Sequence, residues 1–266
     1  MDVAVLGSNN DQLSIIFRGA QPTFVNAIRR IIMAEIPIPA IEKVYIAENT
    51  SVLYDEILAH RLGMIPLRGG ENLLPPDQCS CGGKGCSFCE AALTLEVEAK
   101  EDNTIVYSGR LKAEGSVFPA NNDIPIVKLN NGQKIALVAH ARLGTGKEHA
   151  KWQPVSACVL KYEPVISVNT DCDLCGICVE RCPRKILEID GKKLNVRSIW
   201  DCSLCKVCEE VCPKSAIKVS YNDKTSRLTI ETTGSRSNEE LLISAFTLLI
   251  KKCESLRNSI GGATSG

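Results

Sequence analysis

CDLCGICVERCP at residues 172–183 and CSLCKVCEEVCP at residues 202–213 divide this 266-residue chain into parts. Each run spaces its thiols as Cys-x2-Cys-x2-Cys-x3-Cys-Pro, and each cysteine of the first recurs thirty positions later in the second. The following text repeats as well, PRKILEI after one run and PKSAIKV after the other, so a supersecondary unit is duplicated. Thiolates two residues apart on a tight loop can reach three irons of one cubane. The fourth, expected to start a helical turn, points away and ligates the other cluster. The crossing gives one candidate set of Cys172, Cys175, Cys178 and Cys212, and a second of Cys182, Cys202, Cys205 and Cys208. Pro183 and Pro213 fix the backbone after the crossing ligands. Zinc or disulfides are the competing readings of eight such cysteines. The full run with its proline is among the most specific cysteine patterns and favours clusters.

Each run is followed by an expected hairpin. Residues 186–189 and 194–196 flank AspGlyLys, and residues 217–221 and 227–230 flank AsnAspLys. Cluster loop, short helix and two strands, repeated over about 60 residues, resembles a bacterial two-cluster ferredoxin. One or both sites are expected to be filled. If only one is, the favoured set is Cys182, Cys202, Cys205 and Cys208. A site lacking one ligand would carry 3Fe-4S rather than 4Fe-4S.

A third group, Cys79, Cys81, Cys86 and Cys89, sits in a Gly-rich loop and could wrap one tetrahedral zinc ion. Disulfides or unligated thiols remain alternatives, because the single residue between Cys79 and Cys81 is not the common knuckle spacing. Cys158 and Cys253 lie in apolar text and are expected to be core residues.

Composition narrows the function. Lys plus Arg equals Asp plus Glu at 31 each, so the basic excess expected of a protein that grips DNA phosphates is missing. Little or no direct DNA contact is expected. No run approaches the roughly 18 apolar residues that span a bilayer, and the first residues lack the basic start of a signal peptide. A cytoplasmic chain with no membrane partner is the expectation, and clustered thiols in a reducing compartment favour metal. GTGK at residues 144–147 is no phosphate loop, since Ala141 and Glu148 stand where Gly and Ser or Thr are required. His60, His140 and His149 show no ligand spacing, and no paired catalytic carboxylates or AspxAspxAsp triad appears. No catalytic residue is assigned.

The two ends carry helices. Phe24, Ala27, Ile28, Ile31 and Ile32 follow the helical i, i+3, i+4 rule, with Pro22 in the first turn and Pro37 at the stop. Ser237 and Glu240 form a capping box for a helix to about Leu256. That helix is apolar on more than one face, so it must bury in a larger core or against a partner.

FVNAIRRIIMAEIPIPAIE at residues 24–42 closely resembles the opening helix of the alpha-like RNA polymerase subunits. DEILAHRLGMIPL at 55–67 resembles their next hallmark, a short helix stopped by Gly63, and GTGKEHAKWQP at 144–154 is a third match. With the cysteine blocks, these residues look like the archaeal D-type branch of that family, counterpart of the third-largest eukaryotic subunit and of bacterial alpha. The resemblance implies an α+β fold, with a split alpha-like dimerisation domain (1–37 and 225–266), an inserted mixed α/β middle domain (38–165) with the cysteine-rich loop, and a ferredoxin-like iron–sulfur domain (166–224). It also implies heterodimerisation with a smaller alpha-like subunit L through Phe24, Ala27, Ile28, Ile31, Leu242, Phe246 and Leu249. Small subunits N and P and the two large catalytic subunits would assemble on that platform. The competing reading is a ferredoxin-type electron-transfer subunit of a redox complex, which leaves the terminal helices unexplained.

Overall fold

The computed structural model describes residues 1–263; the last three residues of the expected dimerisation segment, 264–266, lie outside the described residues. In chain order the first elements are β1 (Asp2–Ser8), β2 (Gln12–Arg18), α1 (Pro22–Ala34), β3 (Ile38–Asn49), α2 (Asp55–Gly63), β4 (Leu67–Arg68) and β5 (Glu90–Glu98). They continue with β6 (Thr104–Tyr107), β7 (Lys112–Glu114), β8 (Phe118–Pro119), β9 (Pro125–Leu129), β10 (Lys134–Gly144) and β11 (Val155–Val168). The last are α3 (Ile177–Arg181), β12 (Leu187–Asp190), β13 (Lys193–Val196), α4 (Val207–Glu210), β14 (Ile217–Thr232) and α5 (Asn238–Ala263). Contacts divide the chain into two compact units, one of residues 1–7, 14–26 and 159–229, the other of 8–13, 27–158 and the stretch from Ile230.

The second unit centres on a sheet of order β3-β10-β5-β7. Along β10, residues alternate between buried and half-buried, with Ile135, Leu137, Ala139 and Ala141 on the inner face. That period of two is the mark of a strand with one covered side. Antiparallel pairing sets Ala139 opposite Val44 on β3 and Leu93 on β5. Helix α2 contributes Leu58 and Leu62, one turn apart and fully buried, to the same core. Truncating either to Ala should cost about 2–5 kcal/mol.

The 144–154 motif has a packing explanation. Trp152, 2% exposed, donates its indole N–H to the Arg142 carbonyl and lies between two cations, Arg142 and Lys151, at 4.3 and 4.4 Å from its ring centroid. A Cβ on Gly144 would meet that ring at 2.4 Å, and one on Gly146 would meet the Met33 carbonyl at 2.2 Å. The Lys147 N–H bonds the Ala34 carbonyl at the end of α1. His149 accepts from the Lys151 N–H at 3.1 Å, a structural role.

On α1, Val25, Ile28, Ile31 and Ile32 are buried within the chain, while Phe24 and Ala27 are half-buried. The capping box on α5 forms as expected: the Ser237 N–H bonds Glu240 Oε2 at 2.9 Å, and the Glu240 N–H bonds Ser237 Oγ at 3.2 Å. Leu241 and Ala245 are fully buried, Leu242, Phe246 and Leu249 half-buried, and Ile243 and Ile250 exposed. The helix runs seven residues beyond the expected end at Leu256, and Cys253 is exposed rather than in a core. Its apolar neighbours in sequence lie on other faces of the helix, so local hydrophobicity misjudged its surroundings.

In the first unit the cysteine runs carry α3 and α4, and β12–β13 form the first expected hairpin, with Leu187 opposite Val196. Gly191 at its turn takes φ +59, the left-handed region that a tight hairpin needs. The second expected hairpin does not form. Residues 217–232 are one continuous strand, β14, in a sheet of order β1-β2-β14-β11. Thirty positions beyond Gly191 stands Tyr221, and none of Tyr221, Asn222, Asp223 or Lys224 takes a positive φ. Asn222 donates to Glu163 Oε2 on the neighbouring strand β11 at 3.0 Å and to Thr225 Oγ1 at 3.1 Å.

Candidate metal and cluster sites

Two local backbone devices shape the ferredoxin-type sites. Leu174 and Gly176 take φ +60 and +78; thirty positions later Leu204 and Lys206 take +56 and +61. Each left-handed non-Gly residue costs about 1–2 kcal/mol, a strain that persists only where the surroundings dictate it. The kinks curl each loop and bring the first three thiols of a run to one side, and α3 or α4 follows. The fourth cysteine ends the helical turn instead of starting it, Cys182 being the C-cap of α3, because the turn is nucleated at the αL residues Gly176 and Lys206.

The crossing sets come together in space. One cavity is lined by Cys172, Cys175, Cys178 and Cys212, with Asp173 and Lys214. A second is lined by Cys182, Cys202, Cys205 and Cys208, with Arg184 and Lys206. The thiols press on one another electrostatically. Burial pushes the Cys208 thiol up to about 11, helped by Cys202, Cys182 and Cys205. Cys178 is pushed up by burial and by Cys172, Cys175 and Cys212. Backbone N–H groups act the other way: that of Ala216 holds Cys212 down at 3.2 Å from its sulfur, and that of Val207 holds Cys205 down. A cationic iron core would relieve the crowding and accept these N–H-supported thiolates. An all-thiol donor set ringing a cavity fits an iron–sulfur cluster.

The sets differ in burial. Cys202 and Cys208 are buried among Ile186, Leu187, Ile217 and Val219, whereas no ligand of the first set is fully buried.

The third site is of another size. Sulfur–sulfur distances are 3.5 Å for Cys79–Cys86, Cys79–Cys81 and Cys81–Cys89, and 3.7 Å for Cys86–Cys89. Zn–S bonds of about 2.3 Å in a tetrahedron give edges of about 3.8 Å. Among the described residues this is the only group of three or more Cys, His, Asp or Glu whose ligand atoms all lie within 4.8 Å of one another. The four thiols are free cysteines. Hydrogen bonds from the Cys89 thiol and the Gly85 N–H hold Cys81 down to about 6, while burial pushes Cys89 up to about 12. Positive φ at Gly82, Gly83 and Gly85 lets so short a loop close on itself.

Residues 44–159 match the RNA polymerase Rpb3/RpoA insert domain, and residues 171–216 match the 4Fe-4S dicluster domain. DNA-directed RNA polymerase subunit Rpo3 of Archaeoglobus fulgidus is 42% identical over 262 residues, covering 97% of both chains. The chain belongs to the Rpo3 family. The subunit Rpo3 of Methanothermobacter thermautotrophicus is 43% identical over 259 residues, covering 96% of this chain and 97% of that one. That of Methanosarcina acetivorans is 38% identical over 260 residues. Membership makes this Rpo3-family chain a subunit of DNA-directed RNA polymerase, acting in transcription as a non-catalytic part of a nucleotidyltransferase complex. The eight cysteines that alone favour an electron-transfer subunit sit inside an RNA polymerase scaffold, and the redox-subunit reading is not favoured. No helix among the described residues is long and apolar enough to cross a membrane.

Lys161 and Arg227, which approach the segment leading into Cys202, were missed by sequence reasoning. They are distant in sequence from the cysteine runs and belong to no motif.

Proposed function

We propose that the chain is the archaeal D-type member of the alpha-like family and the assembly platform of the polymerase. In this reading, residues 1–37 and 225–266 are the dimerisation domain, 38–165 the middle domain and 166–224 the cluster domain. The platform pairs with a smaller alpha-like subunit L, and subunits N and P and the two large catalytic subunits build onto it, in the cytoplasm.

One observation carries this reading. From Lys251 to Ile260 every residue of α5 is exposed, including Leu256 at 62% and Ile260 at 58%, as are Ile243 and Ile250 nearer its start. Isolated helical stretches of this length are marginal in water, and exposed apolar side chains one heptad apart, as Ile243 and Ile250 are, mark a face awaiting another helix. Phe24, Ala27, Leu242, Phe246 and Leu249, all half-buried, would extend the contact, whereas Ile28 and Ile31 already serve the chain's own core. Replacing Ile243 and Ile250 together with Glu should abolish recovery of a smaller alpha-like subunit in a tagged pull-down while leaving cluster absorbance unchanged. Undiminished recovery of the partner would refute the reading.

Within this reading Cys172, Cys175, Cys178 and Cys212 hold one iron–sulfur cluster, and Cys182, Cys202, Cys205 and Cys208 a second. Cys79, Cys81, Cys86 and Cys89 hold zinc. Their role is structural, because a segment of about 60 residues has too small a core to dispense with cross-links. The cluster thiolates supply folding energy directly.

A further inference from the structure

Strands β11 and β14 each send one cation toward the loop that enters the second cluster site. Lys161 on β11 donates from Nζ to the carbonyl oxygen of Trp200, two residues before Cys202. Arg227 on β14 lies over the Trp200 ring, its Cζ 5.4 Å from the centroid. Arg227 Nε is buried with no acceptor, and the neighbouring Ser226 Oγ is buried and unpartnered too. Neither Lys161 nor Arg227 forms an ion pair among the described residues. Lys161 is held below the usual lysine range by burial and by Arg227, while Cys202 and the exposed Asp201 oppose that shift. Two cations side by side in a partly desolvated place cost energy unless an anion faces them. Arg184 and Lys206, which line the second cavity, add to the positive side. Of the acids nearby, Glu210 and Asp201 are exposed, where solvent screens them, and half-buried Glu209 is taken up by the Val219 N–H. A thiolate-ligated cluster, whose net charge is negative, would supply a further counter-charge.

We propose that Lys161 and Arg227 are positioning residues that clamp the cluster held by Cys182, Cys202, Cys205 and Cys208 to strands β11 and β14, so that this cluster's charge is felt by the sheet. The first site has no such clamp. There Asp173 and Lys214 pair with each other at 3.3 Å. The inference rests on the second site holding a cluster, as proposed above.

The test is a comparison of sizes. Lys161→Met, and separately Arg227→Met, are made in the full chain and melted with the clusters loaded and after iron removal by a chelator. In the loaded protein each substitution should lower the melting midpoint by about 2–4 °C, the shift expected for a lost contact of ordinary size in a chain this long. In the iron-free protein, where the contacts with Trp200 remain but the cluster's charge is gone, the same substitution should lower the midpoint by clearly less. A fall of equal size in both forms would show ordinary packing and overturn the clamp. Lys161→Arg should restore the loaded midpoint. If the iron-free form does not melt cooperatively, a second measurement on the loaded protein decides. Dithionite-driven, one-electron reduction followed by paramagnetic resonance should show a lower midpoint potential for the second cluster in Lys161→Met and an unshifted first cluster; unshifted potentials in both refute the clamp. Iron analysis of Cys205→Ser against the unaltered chain separates the two levels. Equal iron in both means the site holds no cluster and the underlying reading fails, whereas reduced iron with melting shifts of equal size fails the clamp alone.

Discussion

The loop at 79–89 and the repeat at 172–212 both gather cysteines four at a time, yet they build sites of different size. In the loop the sulfurs stand 3.5–3.7 Å apart, as if around a single ion. In the repeat they line two cavities and do not converge so closely. Chain reach explains the contrast. In the loop all four thiols come from one stretch of eleven residues, whereas at each repeat site three come from one run and the fourth from the other, 20 or 34 residues away, so that two segments each anchored by its own loop are held apart. Cysteine count alone says nothing of this. Separation along the chain does.

The largest test of the contrast is loss of a buried ligand. Cys208→Ala should remove the second cluster and open the 159–229 unit to proteolysis, while zinc in the loop stays near one per chain; parallel loss of zinc would mean that the two regions do not fold independently. Conversely, Cys86→Ser should abolish bound zinc with little change in the visible absorbance of the clusters, read by elemental analysis and absorption on one anaerobic sample.

A smaller effect concerns protons. Hydrogen bonds from Cys89 and Gly85 hold Cys81 down to about 6, whereas burial pushes Cys89 up to about 12. Zinc uptake near pH 7.5 should therefore release about three protons rather than four. Because protons compete for the sulfurs, affinity should fall as the pH is lowered, most steeply below the point where Cys81 itself protonates. Calorimetry in buffers of different ionisation enthalpy counts the protons, and a release of four would deny the preformed Cys81 thiolate.

The smallest test compares the halves of the repeat. Lys206 occupies in left-handed backbone the place that Gly176 fills in the first half. Lys206→Gly should relieve up to about 1 kcal/mol of strain, partly offset by the freedom glycine gains when unfolded. Gly176→Lys should cost about as much. Chemical denaturation of the loaded chain reads both, and a destabilised Lys206→Gly would mean that its side chain contributes more than the backbone costs.

Much of the site was legible in the sequence because its determinants are local. The x2, x2, x3 spacing dictates which thiols share a loop, and the two cavities are lined by the crossing sets that the spacing implies. Ser237 and Glu240 announce their own helix start, since both partners of a capping box lie within one turn. Gly63 and Pro22 mark boundaries for the same reason. The AsnAspLys segment misled, because its residues favour a turn only in the absence of a competing strand. The place of β14 between β2 and β11, with Asn222 bonded to Glu163 on β11, supplies that competition. Cys253 misled because apolar neighbours along a helix point in different directions.

The amino-acid order by itself determined the cysteine sets, the helix caps and the family, each encoded by residues a few positions apart or by a fixed repeat. Tertiary structure decided that β14 runs unbroken, that α5 continues exposed to Ile260, that Ile28 and Ile31 are filled from within, and that Lys161 and Arg227 meet at Trp200. Those outcomes depend on which segments far apart in the chain come to lie together, and burial, strand pairing and charge compensation are energies of such pairs rather than of any residue alone.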